Sequence, residues 1–302
     1  MKEHCSEFPV EKMAKVFKVS RAGYYRYINK KESMTVKKNK ELTNKIKLIF
    51  ETSKRTYGSP RIHAVLKKQG EHCSRKRVSK IMKQNKIQAK ARRKWKHTTR
   101  VSRDTSKIAP NLLNQNFSVD KENTVWVLDI THVKTKEGWL YVSTVLDLYS
   151  RRIVGLSMGN RMDAHLVVKS LNQAICHRSP NAGLILHSDR GTQYTSLEYQ
   201  KFVIEKGFVL SMSAKGCCYD NAVIESFFHT LKTEHTFFHK FETRQEAMRS
   251  IFEYVEIFYN RQRIHSTLDF LSPLEFEQQS HFMESRVKIA RRRQRQNFEL
   301  TV

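Results

Sequence analysis

Asp129, Asp189 and Glu225 are three acids in distinct local settings, with 35 residues between the second and the third. Asp129 interrupts Thr124-Val125-Trp126-Val127-Leu128-Asp129-Ile130-Thr131-His132-Val133, a run of β-branched and aromatic residues that reads as a mostly buried strand. A carboxylate there needs a cationic partner, several hydrogen bonds or a metal. Asp189 ends the apolar stretch Leu184-Ile185-Leu186-His187-Ser188 and runs into Arg190-Gly191-Thr192, and strand ends facing a loop are common active-site positions. Glu225 follows a turn at Gly216 and the pair Asp220-Asn221, which read as the cap of a helix. Singly, a strand aspartate is as often a paired structural group, and a helix glutamate is most often solvated. Jointly, two strand carboxylates and one helix carboxylate are the hard oxygen donors taken by two Mg²⁺ (or Mn²⁺) ions. Such a pair, about 4 Å apart, clamps the attacking and leaving oxygens of a phosphodiester displacement.

The elements that must position these acids follow an α/β order. Strands near 124–133, 139–147 and 152–158 come in quick succession with Glu137-Gly138 as the first turn, which predicts an antiparallel meander. A helix near 163–177, a strand near 183–188, a helix near 196–206, a strand near 208–212 and the Glu225 helix come next. Asp147 reads as a structural residue at a strand end and Asp220 as the helix cap. Lys232, seven residues after Glu225, falls two helical turns further on the same face, about 10 Å along the axis, where it can hold DNA while the acid holds metal. The stretch Phe241 to Phe258 is amphipathic and helical; His265 beyond it reads as a packing or DNA-contact residue, since a metal-activated oxygen needs no histidine base.

Charge identifies the partner class. The chain of 302 residues has 56 Lys and Arg against 29 Asp and Glu, a formal charge of +27, so a polyanion is the leading explanation. Residues 1–118 hold 32 basic and 8 acidic residues, whereas residues 119–302 hold 24 and 21. A basic arm therefore precedes a nearly neutral enzyme core. Within the arm, Phe8-Pro9-Val10 opens a short helix with apolar Met13, Val16 and Phe17, and Ser20 caps a second that carries Arg21, Tyr24 and Arg26 as candidate DNA contacts. A second unit has a helix through Leu42–Phe50, a turn and helix start at Gly58-Ser59-Pro60, and a helix from Ser74 with Val78, Ile81 and Met82 as its core stripe. Arg75, Arg77 and Lys80 then face phosphate, contributing salt-dependent affinity more than sequence readout. Arg92 and Arg93 lie in a basic linker with Trp95 as a stacking candidate, and Lys215 precedes the Gly216 turn. The organisation expected is a helix-turn-helix segment at 1–35, a second helical DNA-binding segment at 36–90, a basic linker at 91–118, a catalytic core at 119–275 and a basic tail at 276–302.

Five stretches carry a resemblance: Trp126-Val127-Leu128-Asp129-Ile130-Thr131, Leu146-Asp147-Leu148-Tyr149-Ser150-Arg151, His187-Ser188-Asp189-Arg190-Gly191-Thr192-Gln193-Tyr194, Asp220-Asn221-Ala222 with Glu225-Ser226-Phe227-Phe228, and Tyr259-Asn260-Arg261 with His265 and Ser272-Pro273. In this order and spacing, with the basic front region, the chain resembles the catalytic, downstream-frame product of insertion-sequence transposases of the IS-three family over nearly its whole length. The resemblance implies an α/β, ribonuclease-H-like integrase core, a mixed five-stranded sheet flanked by helices with its first and fourth strands side by side, preceded by an all-helical DNA-binding region. It implies that Asp129, Asp189 and Glu225 are the catalytic acids and metal ligands, and that Lys232 is a basic position of the family. It implies cleavage of one strand at an element end, then transesterification by the freed 3′-hydroxyl through a circular intermediate, and it makes DNA, the upstream-frame product (or a fusion to it) and further copies of the chain the partners.

Other classes fit less well. A sequence-specific DNA-binding regulator with a degenerate nuclease core leaves the three acids unexplained, and a ribonuclease H leaves the two basic modules unexplained. The histidines and cysteines near the start, His4, Cys5, His63, His72 and Cys73, lack the paired spacing of a structural zinc module. Five cysteines form no disulfide framework, the start carries no secretory segment and no stretch is long enough to span a membrane, so a cytoplasmic, nucleoid-associated protein is expected.

Overall fold

The computed structural model describes residues 1–29, 33–90, 108–214, 218–283 and 285–286. The first helices, α1 (Val10–Val16) and α2 (Arg21–Ile28), are joined by a turn in which Ser20 Oγ accepts from the Gly23 N–H at 2.9 Å. Of the apolar residues expected to pack between them only Met13 is buried; Val16 and Phe17 are 76% and 61% exposed. Helices of seven and eight residues offer too narrow a stripe to close a core of their own.

The second unit does close a core. Helix α3 (Met34–Thr52), helix α4 (Ser59–Lys68), with Pro60 in its first turn, and helix α5 (Arg75–Gln84), capped by Ser74, bury Leu42, Ile46, Ile62, Leu66, Val78, Ile81 and Met82. This core is continuous with that of the catalytic region. The Tyr57 hydroxyl donates to Gln262 O at 3.0 Å and accepts from the Ile264 N–H at 2.9 Å.

Strands β1 (Val125–Thr135), β2 (Gly138–Asp147) and β3 (Ile153–Gly159) form the antiparallel meander. Gly138 makes the first turn possible with a φ of 112°, a conformation that side chains resist. Helix α6 (Ala164–Arg178) crosses the sheet, strand β4 (Ile185–Ser188) pairs parallel to β1, and helix α7 (Leu197–Glu205) returns the chain to strand β5 (Val209–Met212), parallel to β4. The five strands lie in the order β3-β2-β1-β4-β5. The two-residue period of β1 sorts its side chains. Val125 and Val127 face helix α8 (Ala222–Glu234) through Ile224, Phe227 and Leu231, while Trp126 and Leu128 face α6 and α7 through Val167, Leu171 and Tyr199. Helix α9 (Arg244–Glu253) follows and passes into a π-helical stretch, Tyr254–Tyr259.

The catalytic region draws in chain from both sides of 119–275. Upstream, Met212 N–H donates to Pro110 O at 3.2 Å and Leu113 is buried. Downstream, a helix over 273–283 carries Glu277, 2% exposed, into a cluster in which it accepts from Ser150 Oγ at 2.7 Å, Arg152 Nη1 at 2.6 Å and Arg178 Nη2 at 2.8 Å. Burial by itself would raise the Glu277 carboxyl, but the hydrogen bonds and charge of Arg178, with Ser150 and Arg152, outweigh it and hold it below its ordinary 4.5. A group depressed on folding stabilises the fold above its unfolded value and loses that contribution as pH falls through the folded one. The thermal midpoint of the wild type is therefore expected to fall as pH drops below about 4.5, and that of Glu277→Gln to be lower at pH 7 and flatter in this window. Parallel pH profiles for the two proteins would disprove it.

Asp147 is the structural residue expected. Fully buried, it accepts from the N–H groups of Asn123 and Tyr149 and from Trp126 Nε1, with Arg178 beside it at 3.6 Å. Asp220 is not the helix cap. It lies in a 3-10 turn, Cys218–Asn221, and accepts from Asn111 Nδ2 at 2.9 Å and the Ala214 N–H at 2.8 Å, tying the segment before β1 and the end of β5 to the start of α8. Asn221 takes the cap position without a side-chain hydrogen bond.

Candidate active site

The three acids arrive from three elements. In the β1–β4 pairing Val125 lies opposite Ile185 and Val127 opposite His187, where the ladder ends; Asp189 follows directly on β4, and the same register continued two residues further brings it beside Asp129. Adjacent strands are about 4.8 Å apart, so the two carboxylates share one end of the sheet. Two residues on from Val127, Asp129 also points to the α8 side. There α8 presents Glu225 in its first turn, half-buried, with Ile224 and Phe227 anchoring the helix on the sheet.

Local hydrogen bonds orient the aspartates. The Ile130 N–H donates to Asp129 Oδ1 at 2.7 Å and the Gly191 N–H to Asp189 Oδ1 at 2.8 Å. Arg190 Nε donates to Ser213 O at 2.7 Å, which fixes the loop beyond Asp189 to the end of β5. A Cβ on Gly191 would lie 2.7 Å from Gln193 Oε1 and 2.9 Å from Asp189 Oδ1. Gly191→Ala is therefore expected to leave the fold intact but displace the carboxylate, with a loss of activity of about 10- to 100-fold in a single-turnover assay. A wild-type rate would refute it.

The site's electrostatics are those of crowded negative charge. Burial, then the charge of Asp189, then that of Glu225 push the Asp129 carboxyl well above its ordinary range, against the Ile130 N–H and Lys232. Burial likewise raises Asp189, against the Gly191 N–H. Lys232 sits at 8% exposure beside Asp129; burial pulls it down to about 8, and the Asp129 charge works in the other direction. It is thus a counter-charge to Asp129 in this structure. The acids that act on one another offer hard oxygen donors only, and the set fits a hard divalent cation. Among the described residues no three His, Cys, Asp or Glu side chains are grouped so as to hold a metal ion, so the acids are juxtaposed and not closed into a cage.

Nearby histidines serve the framework. His187 is fully buried between the hydroxyls of Ser211 at 2.8 Å and Ser213 at 3.3 Å, and burial lowers it to about 4, so it is neutral. His265 packs edge-on to Tyr259 at 5.0 Å, and its Nε2 lies 3.2 Å from Arg263 Nη1. Burial and the charges of Arg263, Arg61 and Arg151 hold it well below its ordinary range, as suits a packing residue. Tyr194, quoted at first only as part of the Asp189 stretch, lies under this loop at 1% exposure. Its signal in the sequence was its place three residues after Gly191, whose carbonyl accepts from its N–H at 3.0 Å.

The other sequence-predicted positions lie away from the acids. Arg21, Arg26, Arg75 and Lys80 are exposed, with Arg21 3.7 Å from Glu11, and Tyr24 is half-buried against Tyr25. Arg77 does not simply face out. It is half-buried, with Nε and Nη2 donating to Asn39 Oδ1 at 3.0 and 2.7 Å, because α5 packs on α3 at that point. Lys215, Arg92, Arg93 and Trp95 lie outside the described residues.

A family model described as an integrase core domain matches residues 119–218, a second so described matches 225–281, and an HTH-like domain matches 37–95. The chain is 46% identical over 237 residues to the transposase for insertion sequence element IS904 of Lactococcus lactis, covering 78% of this chain and 93% of that protein. It is 37% identical over 279 residues to transposase InsF for insertion sequence IS3A of Escherichia coli, covering 92% and 96%. The insertion element IS600 uncharacterized 31 kDa protein of Shigella sonnei is 42% identical over 271 residues, covering 90% and 99%. Among solved structures, the HTLV-2 integrase catalytic core domain in complex with magnesium aligns with a TM-score of 0.41 and 16% identity, over 51% of this chain and 95% of that one. The catalytic core of BIV integrase aligns at 0.39 and 16%, over 54% and 99%. These structural likenesses are loose, whereas the relatives are aligned over most of both chains: the chain belongs to the IS3 family of insertion-sequence transposases.

Proposed function

We propose that Asp129, Asp189 and Glu225 are the catalytic acids of a DNA strand-transfer centre that holds two Mg²⁺ or Mn²⁺ ions. The observation that supports this most is the parallel β1–β4 register, which, continued past the end of β4, brings Asp189 beside Asp129, whose carboxyl is within reach of the charges of both Asp189 and Glu225. When bound, the cations supply Lewis-acid activation of the attacking oxygen and neutralise charge at the phosphate. The chain's own groups do the rest. The Ile130 and Gly191 N–H groups aim the aspartates, α8 brings Glu225 over the sheet end, and Lys232 offsets acid charge before DNA enters. In the first step water attacks a phosphodiester at an element end, the P–O3′ bond breaks and the 3′ oxygen leaves with a proton. In the second, that 3′-hydroxyl loses its proton and attacks another phosphodiester, so one P–O bond forms as one breaks.

The exposed Arg75 and Lys80, with Arg21, Arg26 and the basic linker, would track the phosphate backbone. The partners in this reading are the terminal repeats of the element, target DNA, the upstream-frame product and further copies of the chain on DNA. In this reading the protein works on the nucleoid in the cytoplasm; among the described residues no helix is long and apolar enough to cross a membrane. The test is incubation of purified protein with end-labelled duplexes from the terminal repeats of its own element, with MgCl₂ and with EDTA. Metal-dependent cleaved and joined strands are expected. Tight binding without any cleavage or joining, with or without the upstream-frame product, would instead favour a regulator with a degenerate core.

A further inference from the structure

The ring of Tyr194 is buried beneath the catalytic loop, in the apolar cluster formed by Trp126 and Leu128, the residues preceding Asp129 on β1. A Cβ at Gly191 would sit 3.5 Å from Tyr194 Cδ2 and 2.9 Å from Asp189 Oδ1, so ring and carboxylate flank the same glycine. Its hydroxyl is buried and has no hydrogen-bond partner among the described residues. A buried O–H is costly to leave without a partner, and each such group in a native structure calls for an explanation.

The carboxylate of Asp189, across Gly191, is the acceptor that the structure places against the ring. Burial raises Tyr194 well above the ordinary tyrosine range, and the charges of Asp129 and Asp189 raise it further, ahead of its neighbour Tyr199. Tyr199 provides an internal comparison. Its ring meets that of Tyr194 edge-on at 5.5 Å, its hydroxyl is also buried and without a partner, and burial alone raises it, with no contribution from either acid.

We propose that Tyr194 is a positioning residue of the metal-binding centre, its hydroxyl donating, directly or through one water, to the carboxylate of Asp189 on the other side of Gly191 when Asp129 and Asp189 hold cations. The proposal rests on the reading of those acids as metal ligands. A donor behind a ligating carboxylate holds its orientation, and loss of such a group typically lowers metal affinity or activity 10- to 100-fold. Tyr194→Phe removes one oxygen and keeps the ring.

The full chain and its Tyr194→Phe and Tyr199→Phe variants are compared by calorimetric titration with MnCl₂ in the absence of DNA, and by thermal melting in EDTA. The expected result is an Mn²⁺ dissociation constant raised about tenfold in Tyr194→Phe and unchanged in Tyr199→Phe, with Tyr194→Phe melting in EDTA no lower than the wild type. Wild-type affinity in Tyr194→Phe, an equal loss in Tyr199→Phe, or a lower EDTA melting temperature in Tyr194→Phe would each overturn it and leave the assignment of the acids standing. Failure of the wild type itself to bind Mn²⁺ would overturn the assignment of the acids and this proposal together.

Discussion

Asp189→Asn is expected to abolish both strand cleavage and strand joining, with a rate loss on the order of 10³-fold or more, while the protein stays folded. The substitution keeps the side chain's shape, and the amide oxygen can still accept from the Gly191 N–H that now holds Oδ1 at 2.8 Å. What is lost is one negative donor from the group that would hold the cations. Withdrawing several kcal/mol of transition-state charge stabilisation has this effect on rate. Without metal the sign for stability is the reverse, because the Asp189 charge is among the main reasons that Asp129 is raised well above its ordinary range. Removing a like charge from a buried pair relieves repulsion. The variant should thus melt no lower than the wild type in EDTA, and Asp129→Asn and Glu225→Gln should be equally inactive. Retained joining activity in any of the three would sink the assignment of that acid; inactivity with a collapsed melting temperature would point to structure instead of chemistry.

The second large effect is expected at the far end of α8. Glu234 accepts from Arg263 Nε and Nη2, both at 2.7 Å, from the Tyr254 hydroxyl at 3.1 Å and from Arg61 Nη1 of α4 at 3.4 Å. Burial alone would raise its carboxyl, yet the hydrogen bonds and charge of Arg263, helped by Arg61, hold it low. Arg263→Ala leaves that carboxylate buried with only part of its compensation, and breaking a buried pair from one side costs about 3–5 kcal/mol. Denaturant titration at pH 7 would measure the loss. Glu234→Gln should cost less, because it removes the charge that needs compensation. Since Glu234 is lowered on folding, its contribution holds at neutral pH and is lost as pH falls through its depressed value, so the gap between Arg263→Ala and wild type should narrow in acid. A constant gap would refute this.

That cluster also joins the units. Arg61 and Tyr57 come from the HTH-like domain; Tyr57 holds the chain at Gln262 and Ile264, and Arg61 holds Glu234 at the end of the helix that carries Glu225 in its first turn. Lys90 adds a bond from Nζ to Glu234 O at 2.9 Å and sits over the Phe238 ring at 4.6 Å. In calorimetry the domain and the core should unfold in a single transition, and Arg61→Ala should separate them. Two transitions in the wild type would show that the junction does not couple them.

Much of this site was legible before any coordinates. A lone aspartate in a β-branched run, an aspartate at a strand end and a glutamate just inside a helix each break a local pattern that packing favours, and such breaks mark function. Caps and periodicity placed the elements of the core to within a few residues, since both are short-range effects. Asp220 was misread for the same reason. An Asp-Asn pair before a helix has the local form of a cap, and its actual partner, Asn111, lies 109 residues away. Arg77 was misread because nothing in an amphipathic helix says that α3 will offer Asn39 opposite one of its polar positions.

The sequence by itself singled out the three acids of the proposed site, and it determined the order of strands and helices and the concentration of basic charge in residues 1–118. These depend on residue type, two-residue and 3.6-residue periods and turn chemistry, all properties of a few consecutive residues. Only the tertiary structure decided that β4 pairs beside β1 in the register that, continued past its end, brings Asp189 beside Asp129, that Lys232 is buried within reach of the Asp129 charge, and that Arg61 braces the end of α8. A parallel pairing has no turn to set its register, and a buried lysine or arginine owes its place to acids far away in the chain. Such relations emerge when distant segments pack to remove apolar surface from water, and no window of sequence contains both partners.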